Sequence, residues 1–93
     1  MPAYELIFPD YLDDYEHETE SKGYLVGVTV NYDGATIDLT IYDPTRLMQE
    51  VRDDVESTGY FTEARLLVVP RVTRDQIAQA VEEMAHGGFQ QLL

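Results

Sequence analysis

The clearest pattern along the chain is an alternation of apolar and polar positions through Tyr24 to Tyr32 and again through Ala35 to Tyr42, with Asp33-Gly34 between them. A two-residue period marks half-buried strands, and Asp-Gly suits a type I′ hairpin loop, whose two central residues both take positive φ. A loop of this kind pairs Tyr32 with Ala35. Stepping back predicts Val30 with Ile37, Val28 with Leu39 and Val26 with Ile41 on one apolar face. The opposite face carries Asn31, Thr36, Thr29, Asp38 and Thr40, so the sheet is expected to be covered on one side and wet on the other. Upstream, Tyr4-Glu5-Leu6-Ile7-Phe8, closed by Pro9, predicts a first strand ended by a residue that cannot donate to a ladder.

The second half of the chain changes period. Asp43-Pro44 reads as an N-cap followed by proline at the first helical position, and Leu47, Met48, Val51 and Val55 then fall on one helical stripe until Gly59 stops it. Arg46 with Glu50 and Arg52 with Glu56 have the spacing of ion pairs on its wet sides. Ala64 to Val69, ended by Pro70, predicts a fourth strand, parallel to the third because a helix crosses between them. Thr73 with Gln76 forms a capping box, and Ile77, Ala80, Val81 and Met84 give a last helix its apolar stripe, ended at His86-Gly87-Gly88. Phe89, Leu92 and Leu93 are expected to fold back on the core. These elements predict an α+β fold of order β-β-β-α-β-α. The expected architecture is a two-layer sandwich with a four-stranded mixed sheet and both helices on the face of Val26, Val28 and Val30. At 93 residues the chain is read as a single domain, 1–93, with an acidic loop or short helix at 10–22.

Charge changes this picture of an ordinary small fold. Eighteen acids against six bases give a net charge of -12, which repels nucleic acid and anionic lipid. The charge is also concentrated. Residues 1–22 hold seven of the acids against Lys22 alone, so less than a quarter of the chain carries half of the net charge. With no cysteine there is no disulfide framework, zinc-thiolate site or thiol nucleophile. No apolar run is long enough to span a bilayer, and the start Met1-Pro2-Ala3-Tyr4-Glu5 lacks the pattern of a secretion signal, so the expected location is cytoplasmic.

One segment stands out as a candidate site. Asp10, Asp13, Asp14, Glu16, Glu18 and Glu20 are interleaved with Tyr11 and Tyr15, with no base among them. Left in water such acids contribute little, since even paired surface charges are worth ~0.2–1 kcal/mol. Pressed into a cationic cleft they contribute far more, because close pairs in a well-studied inhibitor complex couple by roughly 1.5–7 kcal/mol, and tyrosine adds contact area at low entropy cost. The competing reading is a solubilising stretch or a salt-adapted acidic surface, which should spread acid evenly where this chain concentrates it. His17 among carboxylates lacks a convergent ligand set, and His86 fits a helix C-terminus, so no metal site, catalytic residue or cofactor is expected.

In length, acidity and this Asp/Tyr pattern, the chain resembles the small cytoplasmic inhibitors that bacteria make against nuclease toxins, the barstar-like and contact-dependent toxin immunity proteins. The likeness rests on Asp10 to Glu20, about an eighth of the chain. The predicted antiparallel start departs from barstar's parallel sheet. The resemblance implies a protein that performs no chemistry, whose negative surface imitates substrate phosphates and blocks a basic active site. The expected partner is thus a basic protein such as a toxin, with no direct nucleic-acid or membrane contact and a free state that is monomer or dimer. Two alternatives remain: a phage-type nucleic-acid mimic that inhibits a host DNA-binding or defence protein, and a small carboxylate-based enzyme or metal-binding protein. A structural subunit associating through the sheet face of Asp38, Thr40 and Tyr42 is a third reading.

Overall fold

The computed structural model describes residues 3–92 and is an α+β fold with a four-stranded mixed sheet and three α-helices. The elements are β1 (Tyr4–Ile7), α1 (Leu12–Lys22), β2 (Tyr24–Tyr32), β3 (Ala35–Tyr42), α2 (Pro44–Thr58), β4 (Leu66–Val68) and α3 (Arg74–His86), followed by a 3-10 turn, Gln90–Leu92. Spatial order in the sheet is β1-β2-β3-β4, antiparallel except for the parallel β3–β4 pair. The expected order of three strands before the first helix is therefore corrected, because the acidic segment between β1 and β2 is helical. Strand β4 is also shorter than expected. Arg65 sits at φ 50 and turns the chain before Leu66, so extended backbone starts two residues late.

The hairpin turns at Asp33-Gly34 with φ of 52° and 78°, and pairs Tyr32 with Ala35, Val30 with Ile37 and Val28 with Leu39, as the pattern predicts. Register then shifts. Leu25, not Val26, pairs with Ile41, because a bulge lies between Leu25 and Val28. Gly27 takes φ 88, open to glycine at no steric cost, and a Cβ there would come within 3.2 Å of Pro9. The bulge turns Leu25 into the core at 2% exposure and leaves Val26 41% exposed. The core face is completed by Val28, Val30, Ile37, Leu39 and Ile41, covered by Ile77, Val81 and Ala85 of α3. Phe89 closes one end edge-on to Tyr4 and Tyr32, with ring centroids 5.5 and 4.9 Å away. Leu92 is buried, so the tail does fold back on the core; Leu93 lies outside the described residues.

Only one of the two expected helices covers this face. Helix α2 has no buried residue, and none of its side chains belongs to the core cluster. Its first turn lies instead on the other side of the sheet, where the Arg46 guanidinium stands 5.6 Å from the centroid of the Tyr24 ring and Tyr24 packs on Tyr42 at 4.9 Å. Tyr24 and Tyr42 alternate with Leu25 and Ile41, which places them opposite the core face. That face is wet only in part. At the hairpin end it carries a polar ladder in which Thr36 donates to Asn31 at 3.0 Å and Asn31 donates to Glu5 at 3.2 Å, whereas Tyr42 is buried at the other end.

The α2 N-cap is as predicted, with Asp43 accepting from the Arg46 N–H at 2.7 Å and Pro44 in the first turn. It is locked to the end of α1. Gly23 caps α1 at φ 71, its carbonyl accepts from the Asp43 N–H at 2.9 Å, and a Cβ on it would fall 2.4 Å from the Asp43 carboxylate. Gly23→Ala therefore combines a left-handed penalty with displacement of the cap, and should cost about 2 kcal/mol or more in urea unfolding. Asp43→Ala alone should cost about 1 kcal/mol, and the two should be non-additive because they act on one junction.

Burial pushes the Tyr42 hydroxyl from its ordinary 10.0 up to about 12, with Tyr24, Glu63 and Glu50 adding to the shift. The unfolded phenol ionises first, so the folded state binds more protons between those values and stability is intact below pH 10 and lost as pH rises toward 12. Tyr42→Phe should flatten the alkaline arm of a pH–stability curve measured by denaturant unfolding.

Candidate functional site

An isolated 11-residue helix with this many acids has little reason to form. Asp13 and Glu16, Asp14 and Glu18, and Glu16 and Glu20 are like-charge neighbours three or four residues apart, each opposing helix by ~0.2–0.5 kcal/mol. Burial of Leu12, at 3% exposure, is worth roughly 2 kcal/mol and outweighs that sum. Thr19, seven residues on and therefore on the same side, is buried as well. Lys22 in the last turn and Gly23 in the left-handed conformation finish the helix, with the Gly23 N–H shared between the Thr19 and Glu20 carbonyls. Inside the helix Tyr15 departs from helical geometry at φ -130 and ψ 28, so the acidic stretch is a kinked helix.

Two contacts fix α1 to the rest of the molecule. At its start, the Tyr11 hydroxyl donates to the Val26 carbonyl at 2.8 Å while Pro9 lies over Gly27, so the chain before the helix docks on the β2 bulge. On its flank, Arg74 donates from Nε to Glu16 at 2.6 Å and from a terminal nitrogen to Asp13, and stacks 5.1 Å from the centroid of the Phe8 ring. The hydrogen bond to Glu16 is the main reason that the Arg74 guanidinium is pushed above its ordinary pKa. Sequence reading did not anticipate Arg74, which lies 61 residues from Asp13 in the chain.

The predicted site residues thus divide. Asp13 and Glu16 are tied to Arg74, and Tyr11 is tied to the bulge while remaining 46% exposed. Asp10, Asp14, Glu18 and Glu20 are exposed and form no ion pair among the described residues, and Tyr15 stands beside them at 55% exposure. Under α1 a cleft of about 260 Å³ has an apolar floor of Leu12, Leu25, Val72 and Ile77 and a rim of Glu16, Glu20, His17 and Arg74. Pockets for drug-sized ligands run to ~300–1,000 Å³, so this one has room for a single long side chain. Among the described residues no three His, Cys, Asp or Glu side chains come together as metal ligands, and no helix is long and apolar enough to cross a membrane.

No family model, curated protein or solved structure matches the chain. The geometry of α1 is therefore the basis of a functional reading. Arg74→Ala should loosen α1 selectively: amide exchange in residues 12–22 should accelerate while the β2 and β3 amides stay protected, as read by hydrogen-exchange mass spectrometry.

Proposed function

We propose that the protein is a small inhibitor of the immunity type, which binds a basic protein, such as a nuclease toxin, through the exposed face of α1 and blocks it without doing chemistry. The observation that carries this reading is that α1 is pinned on one side by Leu12, Thr19, Tyr11 and Arg74 while Asp10, Asp14, Glu18 and Glu20 are exposed and, among the described residues, have no cationic partner. Charges on a pre-positioned helix are not re-ordered when a partner arrives, so less entropy is lost on binding than for a flexible acidic tail. Tyr15 supplies the aromatic anchor, and the cleft accepts the aliphatic stem of a lysine or arginine whose head group reaches Glu20 on the rim. The inhibitor acts in the cytoplasm, with α1 and α3 forming one helical layer over the core face of its sheet. A phage-type mimic of nucleic acid would present the same anionic face, and the class of the captured partner separates the two.

Asp13 and Glu16 hold the helix in place, so the informative substitutions are elsewhere. Partners are captured from the source cell on the wild-type protein and on a variant with Asp14, Tyr15 and Glu18 all changed to alanine. The expected result is a basic protein whose affinity falls by at least about a hundredfold in the variant, which corresponds to two or three lost charge contacts. A partner retained at undiminished affinity contradicts the proposal.

A further inference from the structure

The longest helix of the molecule is also the least buried. Helix α2 sends no side chain into the core, Met48 and Val55 are 58% and 48% exposed, and Tyr60 just beyond its end is exposed as well. A helix of this length is marginal alone in water, and helices in proteins are held chiefly by covering their apolar face. The pattern of α2 supplies such a face, of which the fold half-buries Leu47 and Val51 and leaves Met48 and Val55 open. On that outer side Met48, Arg52 and Glu56 follow one another at four-residue intervals with Val55 alongside, so all four share one stripe. Arg52 and Glu56 have the spacing for an ion pair within the helix, yet among the described residues they form none, whereas the inward-lying Arg46 and Glu50 pair at 2.8 Å.

We propose that α2 is the interface of a homodimer, packed antiparallel against the α2 of a second copy. A two-fold axis beside residue 54 sets Arg52 of each copy against Glu56 of the other, and symmetry makes that pair twice. The same register brings Met48 toward the Tyr60 end of the opposite helix and Val55 close to the axis. Charge complementarity selects this occupant. A parallel pairing would set Arg52 against Arg52, a basic groove would meet Arg52 and an acidic groove would meet Asp53 and Glu56, whereas the reversed helix sets Arg52 against Glu56 twice. The axis lies about 16 Å along α2 from Asp43 and hence from the end of α1. The interface uses none of the α1 residues assigned to the basic partner.

The test is sedimentation of the purified chain over a wide concentration range at about 0.15 M salt, where a Debye length of ~8 Å screens the net charge of the two copies. The wild type should sediment as a dimer. Met48→Asp should give the monomer, with an unchanged circular dichroism spectrum because the site is exposed. Arg52→Glu and Glu56→Arg should each weaken the dimer at least about tenfold, and the double swap R52E/E56R should restore it. A wild-type monomer at every concentration overturns the proposal. So does a dimer that Met48→Asp or the single charge reversals leave unaltered, or one that the double swap fails to rescue.

Discussion

The molecule depends on how an anionic helix is kept against a sheet whose strands carry Glu5 and Asp38 and no cation. Five acids within α1 oppose its own folding, and the force that overcomes them is burial on the inner side: Leu12 joins Leu25, Val72 and Ile77, and Thr19 is buried as well. The electrostatic contact with Arg74 adds direction more than strength. It takes the two acids nearest α3 out of circulation and leaves the others facing water, so one helix has a structural flank and an open flank. Gly23 then makes the end of α1 and the start of α2 a single joint, where one residue in a left-handed conformation closes the first helix and holds the cap of the second.

The β2 bulge shows how backbone detail positions the candidate site. One extra residue at Val26-Gly27 releases the Val26 carbonyl to accept from Tyr11 and opens the space over Gly27 that Pro9 fills. With a regular ladder the segment before α1 would lose that seat, and the acids would leave the sheet at a different angle. Strand geometry near the middle of the sheet thereby sets which carboxylates a partner meets.

Much of this was legible in the sequence. The Asp33-Gly34 turn, the pairs from Tyr32 to Val28, the Asp43-Pro44 cap, the parallel fourth strand and the returning Phe89 all follow from local chemistry that tertiary context does not override. Beyond Val28 the expected pairing of Val26 with Ile41 fails, although Gly27 inside a strand is the usual mark of a bulge. The helical state of residues 12–22 turned on burial of Leu12 and on Lys22-Gly23 as a stop, against charges that argue the other way. Pairing of Asp13 and Glu16 with a cation 58 to 61 residues away has no local signature except that an arginine in the first turn of α3 runs against the helix dipole, an anomaly that the facing carboxylates resolve. Periodicity also marked the apolar stripe of α2 correctly but carries no information on whether the same chain covers it.

The acidic face and the α2 stripe are then two surfaces with different physics, one long-ranged and screened by salt, the other short-ranged and apolar. The most direct measurement of the first is the association rate of the captured basic partner as a function of ionic strength. Steering by the open flank of α1 predicts a rate that falls steeply, by about tenfold or more, from low to high salt while the dissociation rate changes much less. A rate that stays flat across that range would mean that the carboxylates of α1 do not guide the encounter, and the account of this helix as a docking face would be wrong.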